Sequence, residues 1–311
     1  MMDLSNLRVV FMGSPDFAVP VLRGLAANYS MVGVVTQPDR PSGRGRQLTP
    51  PPVKSAAEEL GLGLIQPEKL RQPGVFEQLC DWSPDVIIVA AFGQILRQNV
   101  LDLPKYGCVN VHASLLPRWR GAAPIQAAIL HGDPESGVTI MKMDAGIDTG
   151  ATLSRRAIPI EKDDTALSLA GKLAGLGAAL LLDTLPGYMA GELIPVAQDE
   201  TGATYAGMIK KEMGLLDFEK PAQLLERQIR AFIPWPGSWF VLDGQPCKVL
   251  GAEAARAGRA AIPGSRQVAA GFPALICADE TALILKEIQP AGKRAMPGDV
   301  FLRGYAKWVD K

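Results

Sequence analysis

The chain has 311 residues, more than one typical domain of about 150 and enough for two. Its 48% hydrophobic and 21% charged residues are those of a globular protein able to bury a sizeable core, which excludes wholesale disorder. Lys plus Arg equals Asp plus Glu at 32 each, which excludes a protein basic throughout but not a local nucleic-acid patch.

In chain order, Arg8 to Met12, Met31 to Thr36, Asp85 to Ala91, Cys108 to His112 and Val138 to Met143 read as strands. Several are nearly continuous in Val and Ile, as expected where both faces of a sheet are covered. Helical stretches lie between them, around Phe17 to Ala27, Val53 to Leu60, Val75 to Cys80 and Ile125 to His131, and Thr165 to Leu185 reads as a long helix. This alternation predicts an α/β fold, a doubly wound, mostly parallel Rossmann-like sheet, over residues 1–190. Residues 191–206 have no lasting period and read as a linker. Over 207–311 one helix, Pro221 to Phe232, precedes strand candidates at Trp239 to Leu242, Pro246 to Leu250, Gln267 to Ala270, Ala274 to Cys277 and Ala282 to Ile288. Turn signals such as Asp243-Gly244 separate them, and a small OB-like β-barrel is the natural reading. Phe232, Trp235 and Trp239 read as a packing cluster at the helix-to-barrel junction. Residues 207–311 hold 15 Lys/Arg against 11 Asp/Glu, a net +4, while residues 1–206 are net −4. A basic excess on a small barrel fits an accessory nucleic-acid domain and equally a solvated surface.

Four cysteines, Cys80, Cys108, Cys247 and Cys277, stand far apart without C-x-x-C spacing, and His112 and His131 are the only histidines. Neither a zinc site nor a disulfide framework is easily built from them, so no metal and a reduced, cytoplasmic compartment are expected. No signal-peptide pattern and no apolar run of about 18 residues predicts export or a membrane span. His131, just before Gly132, reads as a C-terminal helix residue.

The most informative stretch is Gly107 to Gly121, GCVNVHASLLPRWRG. In a strand, residues two apart face one side, so Asn110 and His112 point together while Val109 and Val111 face the opposite layer. Polar groups in an apolar strand need partners, either as a satisfied core pair or as a functional pair at the end of a strand, where doubly wound sheets bind ligands. Downstream, Met143 to Gly150, MDAGIDTG, reads as a tight loop with two aspartates. One carboxylate could meet the imidazole and the other form the turn, and spacing alone does not choose between Asp144 and Asp148. Thr36 to Lys54 is a long insertion rich in Pro and Gly, with Arg40, Arg44, Arg46 and Lys54 against the single acid Asp39. Such a loop projects from the fold and suits phosphate contacts. Lys293 and Arg294, in the AGKRAM turn, are further candidates for phosphate contact.

The run NVHASLLPRWRGAAPIQ, with MDAGIDTG downstream, resembles the folate-dependent formyltransferases. The stretches MGSPDFAVP, TQPDRPSGRGRQLTPPPVK, AQDETGATYA, RAFIPWPGSW and IQPAGKRAM extend the resemblance in order across nearly the whole chain, with Ala113 where family members usually have Gly. The resemblance implies transfer of the formyl group of 10-formyltetrahydrofolate to the α-amino group of methionine on initiator methionyl-tRNA. It implies that Asn110, His112 and Asp148 are the catalytic trio and that Ser114, Leu115, Leu116 and Pro117 form part of the folate site. It further implies that the basic insertion enters the acceptor end of the tRNA, with Arg44 as the discriminating arginine, and that the enzyme is a monomer without a metal. A dinucleotide-dependent oxidoreductase shares the sheet, but Gly13 stands alone without a G-x-G-x-x-G run. A formyltransferase for small amines, or a formyltetrahydrofolate hydrolase, keeps the trio and leaves the insertion and second domain without a purpose.

Overall fold

The Val- and Ile-rich runs become the centre of a seven-stranded sheet in a computed structural model that describes residues 6–42, 45, 47–257 and 262–308. The chain divides into two compact units, the first made of residues 1–124, 135–159 and 170–206, the second of 125–134, 160–169 and 207–311. The first carries β1 (Arg8–Gly13), β2 (Ser30–Val35), β3 (Arg40–Ser42), β4 (Gln47–Thr49), β5 (Leu64–Ile65), β6 (Val86–Ala90), β7 (Cys108–His112), β8 (Arg120–Gly121), β9 (Glu135–Lys142), β10 (Thr152–Pro159) and β11 (Tyr205–Ala206). Seven of these form one sheet in the order β10-β9-β7-β6-β1-β2-β5. From β7 to β5 neighbours run parallel, whereas β9 is antiparallel to β7 and β10 to β9. Every residue of β6 and β7 is buried, as a strand covered on both faces requires.

The helices follow the expected runs: α1 (Val19–Asn28), α2 (Pro52–Glu59), α3 (Val75–Trp82) and a short α4 (Gln98–Leu101) in the first unit, α5 (Pro124–His131) almost wholly in the second, and α6 (Ala166–Met189), which belongs to the first from residue 170 on. Val21, Leu22 and Leu25 form the buried stripe of α1, and Leu173, Leu181 and Leu185 of α6 are fully buried. By length and composition alone α6 is apolar enough to cross a membrane; in this fold those leucines serve the core.

Three features of this unit depart from the expected pattern. Strand β10 was not foreseen because it is an edge strand whose Arg155 and Arg156 are exposed, which erases the apolar alternation. Within the insertion, β3 and β4 pair as a short antiparallel hairpin held by backbone hydrogen bonds rather than by a core. The stretch 191–206, expected as a linker, lies in the first unit: Thr152 and Val196 exchange backbone hydrogen bonds at 2.8 and 2.9 Å, and β11 pairs parallel with β8.

The second unit carries α7 (Ala222–Ala231), β12 (Ser238–Leu242), β13 (Gln245–Arg256), β14 (Arg266–Ala269), β15 (Phe272–Cys277), β16 (Thr281–Pro290), β17 (Met296–Pro297) and α8 (Gly298–Gly304). Its strands form an antiparallel sheet in the order β12-β13-β16-β15-β14, with β17 also on β16. Asp243 and Gly244 both take positive φ, the left-handed pair that a two-residue hairpin between β12 and β13 needs. Strand β13 runs well past Leu250 through the Ala-rich GAEAAR, where pairing to β16 overrides weak strand propensity; its register shifts at Gly251. Ala222, Leu225 and Ile229 turn one face of α7 onto Phe240, Val249, Leu283 and Trp308. Phe232 is buried and Trp239 half-buried, but Trp235, between two prolines, is 56% exposed and stands outside the expected cluster.

One close approach in the first sheet gives a direct stability test. A Cβ added at Gly33 of β2 would overlap the indole ring of Trp82 at the end of α3. Gly33→Ala should therefore cost about 1–3 kcal/mol through overpacking, read as a lowered thermal midpoint, and Trp82→Leu in the same chain should restore part of it. An unchanged midpoint for Gly33→Ala would contradict this packing.

Candidate active site

Strand β7 places two polar side chains on one face. Asn110 and His112 are buried, 8% and 6% exposed. His112 Nε2 lies 3.0 Å from the Trp119 carbonyl oxygen. A carbonyl only accepts, so Nε2 carries the hydrogen and Nδ1 is the nitrogen left to face the site. The turn after β7 is tied down from within: Thr139 of β9 donates to the Ser114 carbonyl at 2.7 Å and accepts from the Leu116 N–H at 3.1 Å. The Ser114 hydroxyl donates to the Arg118 carbonyl at 2.6 Å. Ala113 is not among the residues at positive φ, so the added methyl is carried without backbone strain.

The loop from β9 to β10 supplies the carboxylate, and the structure separates its two aspartates. Asp144 forms the turn, accepting from the Gly146 N–H at 3.0 Å and the Thr149 hydroxyl at 2.7 Å. Asp148 faces β7. Its Oδ2 accepts the Gly121 N–H at 2.8 Å and lies 3.6 Å from His112 Nδ1, while Oδ1 accepts from Asn110 Nδ2 at 3.4 Å. Strand β9 ends with Lys142 opposite Val109, near the start of β7, so the loop must fold back along β7 to bring Asp148 there. That return uses a left-handed residue at Asp148, φ 53°, and a glycine at 150, where a Cβ would overlap the Lys142 carbonyl.

Behind the loop lies a cluster that sequence reading did not single out. Arg120 of β8 is completely buried, and its guanidinium makes a two-pronged contact with Glu200 at 2.7 and 2.9 Å. Its Nε and Nη2 also donate to Gln198 Oε1 at 3.1 and 2.9 Å. Gln198 Nε2 in turn donates to the backbone carbonyls of Asp148 and Gly150, at 2.8 and 2.7 Å. The hydrogen bonds from Arg120 hold the Glu200 carboxyl below its usual range, and Glu200 raises the Arg120 guanidinium above its own. The signal available in the sequence was an arginine flanked by apolar residues together with the run AQDE.

The other predicted residues fall in different surroundings. Ser114 and Leu116 are buried and use their polar groups on the protein itself, while Leu115 and Pro117 are half-buried. Arg40 is paired with Glu68 at 2.6 Å, and Arg44 and Arg46 lie outside the described residues. Asp39 is held below the usual carboxylate range by hydrogen bonds from Gln66 and Lys54, which anchors the base of the insertion. Lys293 and Arg294 are exposed between β16 and β17, and His131 closes α5 with Nδ1 at 3.0 Å from the Ala127 carbonyl. Burial pushes the Cys108 thiol up to about 12 and those of Cys247 and Cys277 up to about 11, so these are poor nucleophiles.

Strand order also marks a crevice. From β1 the chain builds β2 and β5 to one side, then crosses to β6 on the other, so the order reverses between β1 and β6. Ligands bind outside the carboxyl ends of strands at such a point. There the loop after β6 has Ala91 and Gly93 at positive φ, is tied by Gln37 Nε2 to the Phe92 carbonyl at 3.0 Å, and leaves Ile95 79% exposed.

Two family matches cover most of the chain, one on each side of residue 207, where the longest stretch of the second unit begins. Residues 7–185 match the Formyl transferase family and 208–306 the Formyl transferase, C-terminal domain family. Methionyl-tRNA formyltransferase of Myxococcus xanthus is 48% identical over 302 residues, 97% of this chain and 96% of that protein. The Bacillus subtilis protein of the same name is 49% identical over 300 residues, 96% of this chain and 94% of its own length. Among solved structures, an N-formyltransferase from Helicobacter canadensis in complex with folinic acid and dTDP-3-aminofucose superposes with a TM-score of 0.66. At 19% identity, over 91% of this chain and 99% of that one, it is a likeness of fold.

Proposed function

The chain belongs to the methionyl-tRNA formyltransferases, and on that footing we propose that it transfers the formyl group of 10-formyltetrahydrofolate to the α-amino group of methionine on initiator methionyl-tRNA. The product, N-formylmethionyl-tRNA, is the aminoacyl-tRNA with which translation starts, and we place the reaction in the cytoplasm. The observation that carries the chemistry is the meeting of Asn110, His112 and Asp148, with Asp148 within 3.6 Å of both partners.

The geometry suits an amine attacking a formyl carbon. Negative charge develops on the formyl oxygen, and preorganised donors aimed at it lower the barrier. Asn110 Nδ2 carries two hydrogens, of which Asp148 takes one, so the second is available to that oxygen. His112 presents Nδ1 on the same side, and in its protonated form adds a charged donor. The amine sheds a proton as the new bond forms, and the folate nitrogen gains one as it leaves. Asp148, beside the imidazole, is placed to accept the first proton and to hold the imidazolium while the second moves. An α-amino group has a reference pKa near 8, so enough is neutral to attack without drastic activation.

The folate reading rests on fold and chemistry together. The Helicobacter canadensis enzyme is described as binding folinic acid on a similar fold. In this chain the crevice beside β6 and the turn after β7 suit a flat ring and a nearby formyl group. Because Ser114 and Leu116 are internally committed, this segment acts through the shape of its turn, with Leu115 and Pro117 as the side chains on offer. For the tRNA, the insertion carrying Arg40, Arg44 and Arg46 and the net +4 of residues 207–311 supply the positive charge that phosphates require. Within the second unit, Lys293 and Arg294 are the turn cations we assign to phosphate contact.

Two outcomes follow. His112→Ala and Asp148→Ala should each lower kcat by about 10²–10⁴ while tRNA affinity stays nearly unchanged, as loss of a positioned acid or base does. Near-normal turnover in either variant would return the pair to a purely structural role. Arg44→Ala should narrow the gap in formylation rate between initiator tRNA and a variant whose first acceptor pair is fully Watson–Crick, a base-edge contact being worth about 1–3 kcal/mol. Equal slowing of both tRNAs would make Arg44 a general electrostatic contact.

A further inference from the structure

We propose that Arg120 and Gln198 are positioning residues for the reaction, a clamp rooted in the buried Arg120 that fixes the Asp148 carboxylate from behind through the backbone of its own loop. The inference rests on the reading of Asp148 as part of the catalytic trio. Neither side chain hydrogen-bonds Asn110 or His112; Arg120 is peptide-linked to Trp119, whose carbonyl meets His112 Nε2, and to Gly121, so Gln198 is the member whose hydrogen bonds lead to the site through the loop alone.

The order of the contacts makes the clamp directional. A side-chain amide can offer either its oxygen or its nitrogen to a neighbour. Both Nε and Nη2 of Arg120 point at Gln198 Oε1, and a guanidinium only donates, so the oxygen must face Arg120. The NH2 group is thereby turned towards the loop, and its two hydrogens meet the carbonyls of Asp148 and Gly150, one on each side of Thr149. Glu200 occupies the other edge of the guanidinium and neutralises it, so a fully buried Arg120 has one rigid seating.

The loop needs such a hold. Asp148 takes a left-handed φ of 53°, a conformation that residues with a side chain adopt rarely and that its surroundings must hold in place. On its side-chain side the shortest contact of Asp148 is the Gly121 N–H at 2.8 Å, from the residue after Arg120, against 3.4 Å to Asn110 and 3.6 Å to His112. One two-residue strand therefore grips Asp148 twice: Gly121 directly on the carboxylate, and Arg120 through Gln198 on the main chain. β8 is itself pinned by β11, with Arg120 N–H to the Thr204 carbonyl and Ala122 N–H to the Ala206 carbonyl, both at 2.9 Å. The run 198–206 thus brings Gln198, Glu200 and β11 to one loop, which accounts for a polar, unperiodic segment being ordered along the first unit.

A double-mutant cycle on the full chain tests this. Gln198→Leu keeps volume and removes every hydrogen bond; Gln198→Glu keeps the contact with Arg120 but has no hydrogen for the two carbonyls. Both should lower kcat for methionyl-tRNA about 10- to 100-fold, with KM for folate and tRNA within about 3-fold, because the hydrogen bonds of Gln198 go to Arg120 and to the loop backbone behind the carboxylate. In an Asp148→Ala background the same changes should lower kcat by less than about 2-fold, since the group they orient is gone. The Glu variant serves if the Leu variant does not fold. Should Asp148→Ala alone turn over normally, the catalytic reading falls and the clamp with it. If Asp148→Ala is impaired but the Gln198 changes cost the same factor in both backgrounds, or cost nothing in the wild-type background, the catalytic reading stands and the clamp is refuted.

Discussion

One carboxylate organises this molecule. Asp148 answers a backbone N–H from β8, an amide and an imidazole from β7, and it reaches them from a loop that leaves β9 near the wrong end of β7. A carboxylate drawn into a largely buried site needs several donors to offset lost hydration. Gly121 and Asn110 supply them, with His112 Nδ1 3.6 Å away. The position is bought with local backbone strain that the surrounding hydrogen bonds hold in place.

The mixed character of the sheet makes this arrangement reachable. Five parallel strands build the crevice between β1 and β6, as any doubly wound sheet does. The two antiparallel strands beyond β7 contribute something a further βα unit would not: a tight hairpin connection, residues 143–151, short enough to lie back along the polar face of β7. Thr139, on the same β9, ties the turn after β7 at two points. One antiparallel strand thus braces the turn that follows the histidine and launches the loop that carries the aspartate.

Much of this was legible in residues alone, because burial on both faces of a parallel strand leaves an unmistakable apolar run. β6 and β7 are such runs, and Asn110 and His112 stand out against them. Direction is not written in such a run: β9 looks the same whether it lies parallel or antiparallel to β7. β10 was invisible because an exposed edge strand with two arginines keeps no period. Asp144 and Asp148 could not be separated by spacing, since either carboxylate suits a turn; the distinction lies in which one meets Gly146 and Thr149 and which meets β7. The ties that Ser114 and Leu116 make to Arg118 and Thr139 left no pattern in the sequence, where the resemblance alone set them in the folate segment. Residues 191–206 read as a linker because hydrogen bonds to distant backbone, such as those of Gln198, leave no local pattern.

The central claim is that the trio formylates the methionine of an initiator tRNA rather than a small amine. The most direct measurement is transfer of a labelled formyl group from 10-formyltetrahydrofolate by the full chain, comparing initiator methionyl-tRNA with free methionine and with an amino-sugar nucleotide. The account predicts a kcat/KM for methionyl-tRNA at least about 10³-fold above either small amine, the span that tRNA contacts can add to a shared formyl-transfer site. Equal or faster transfer to a small amine would contradict it.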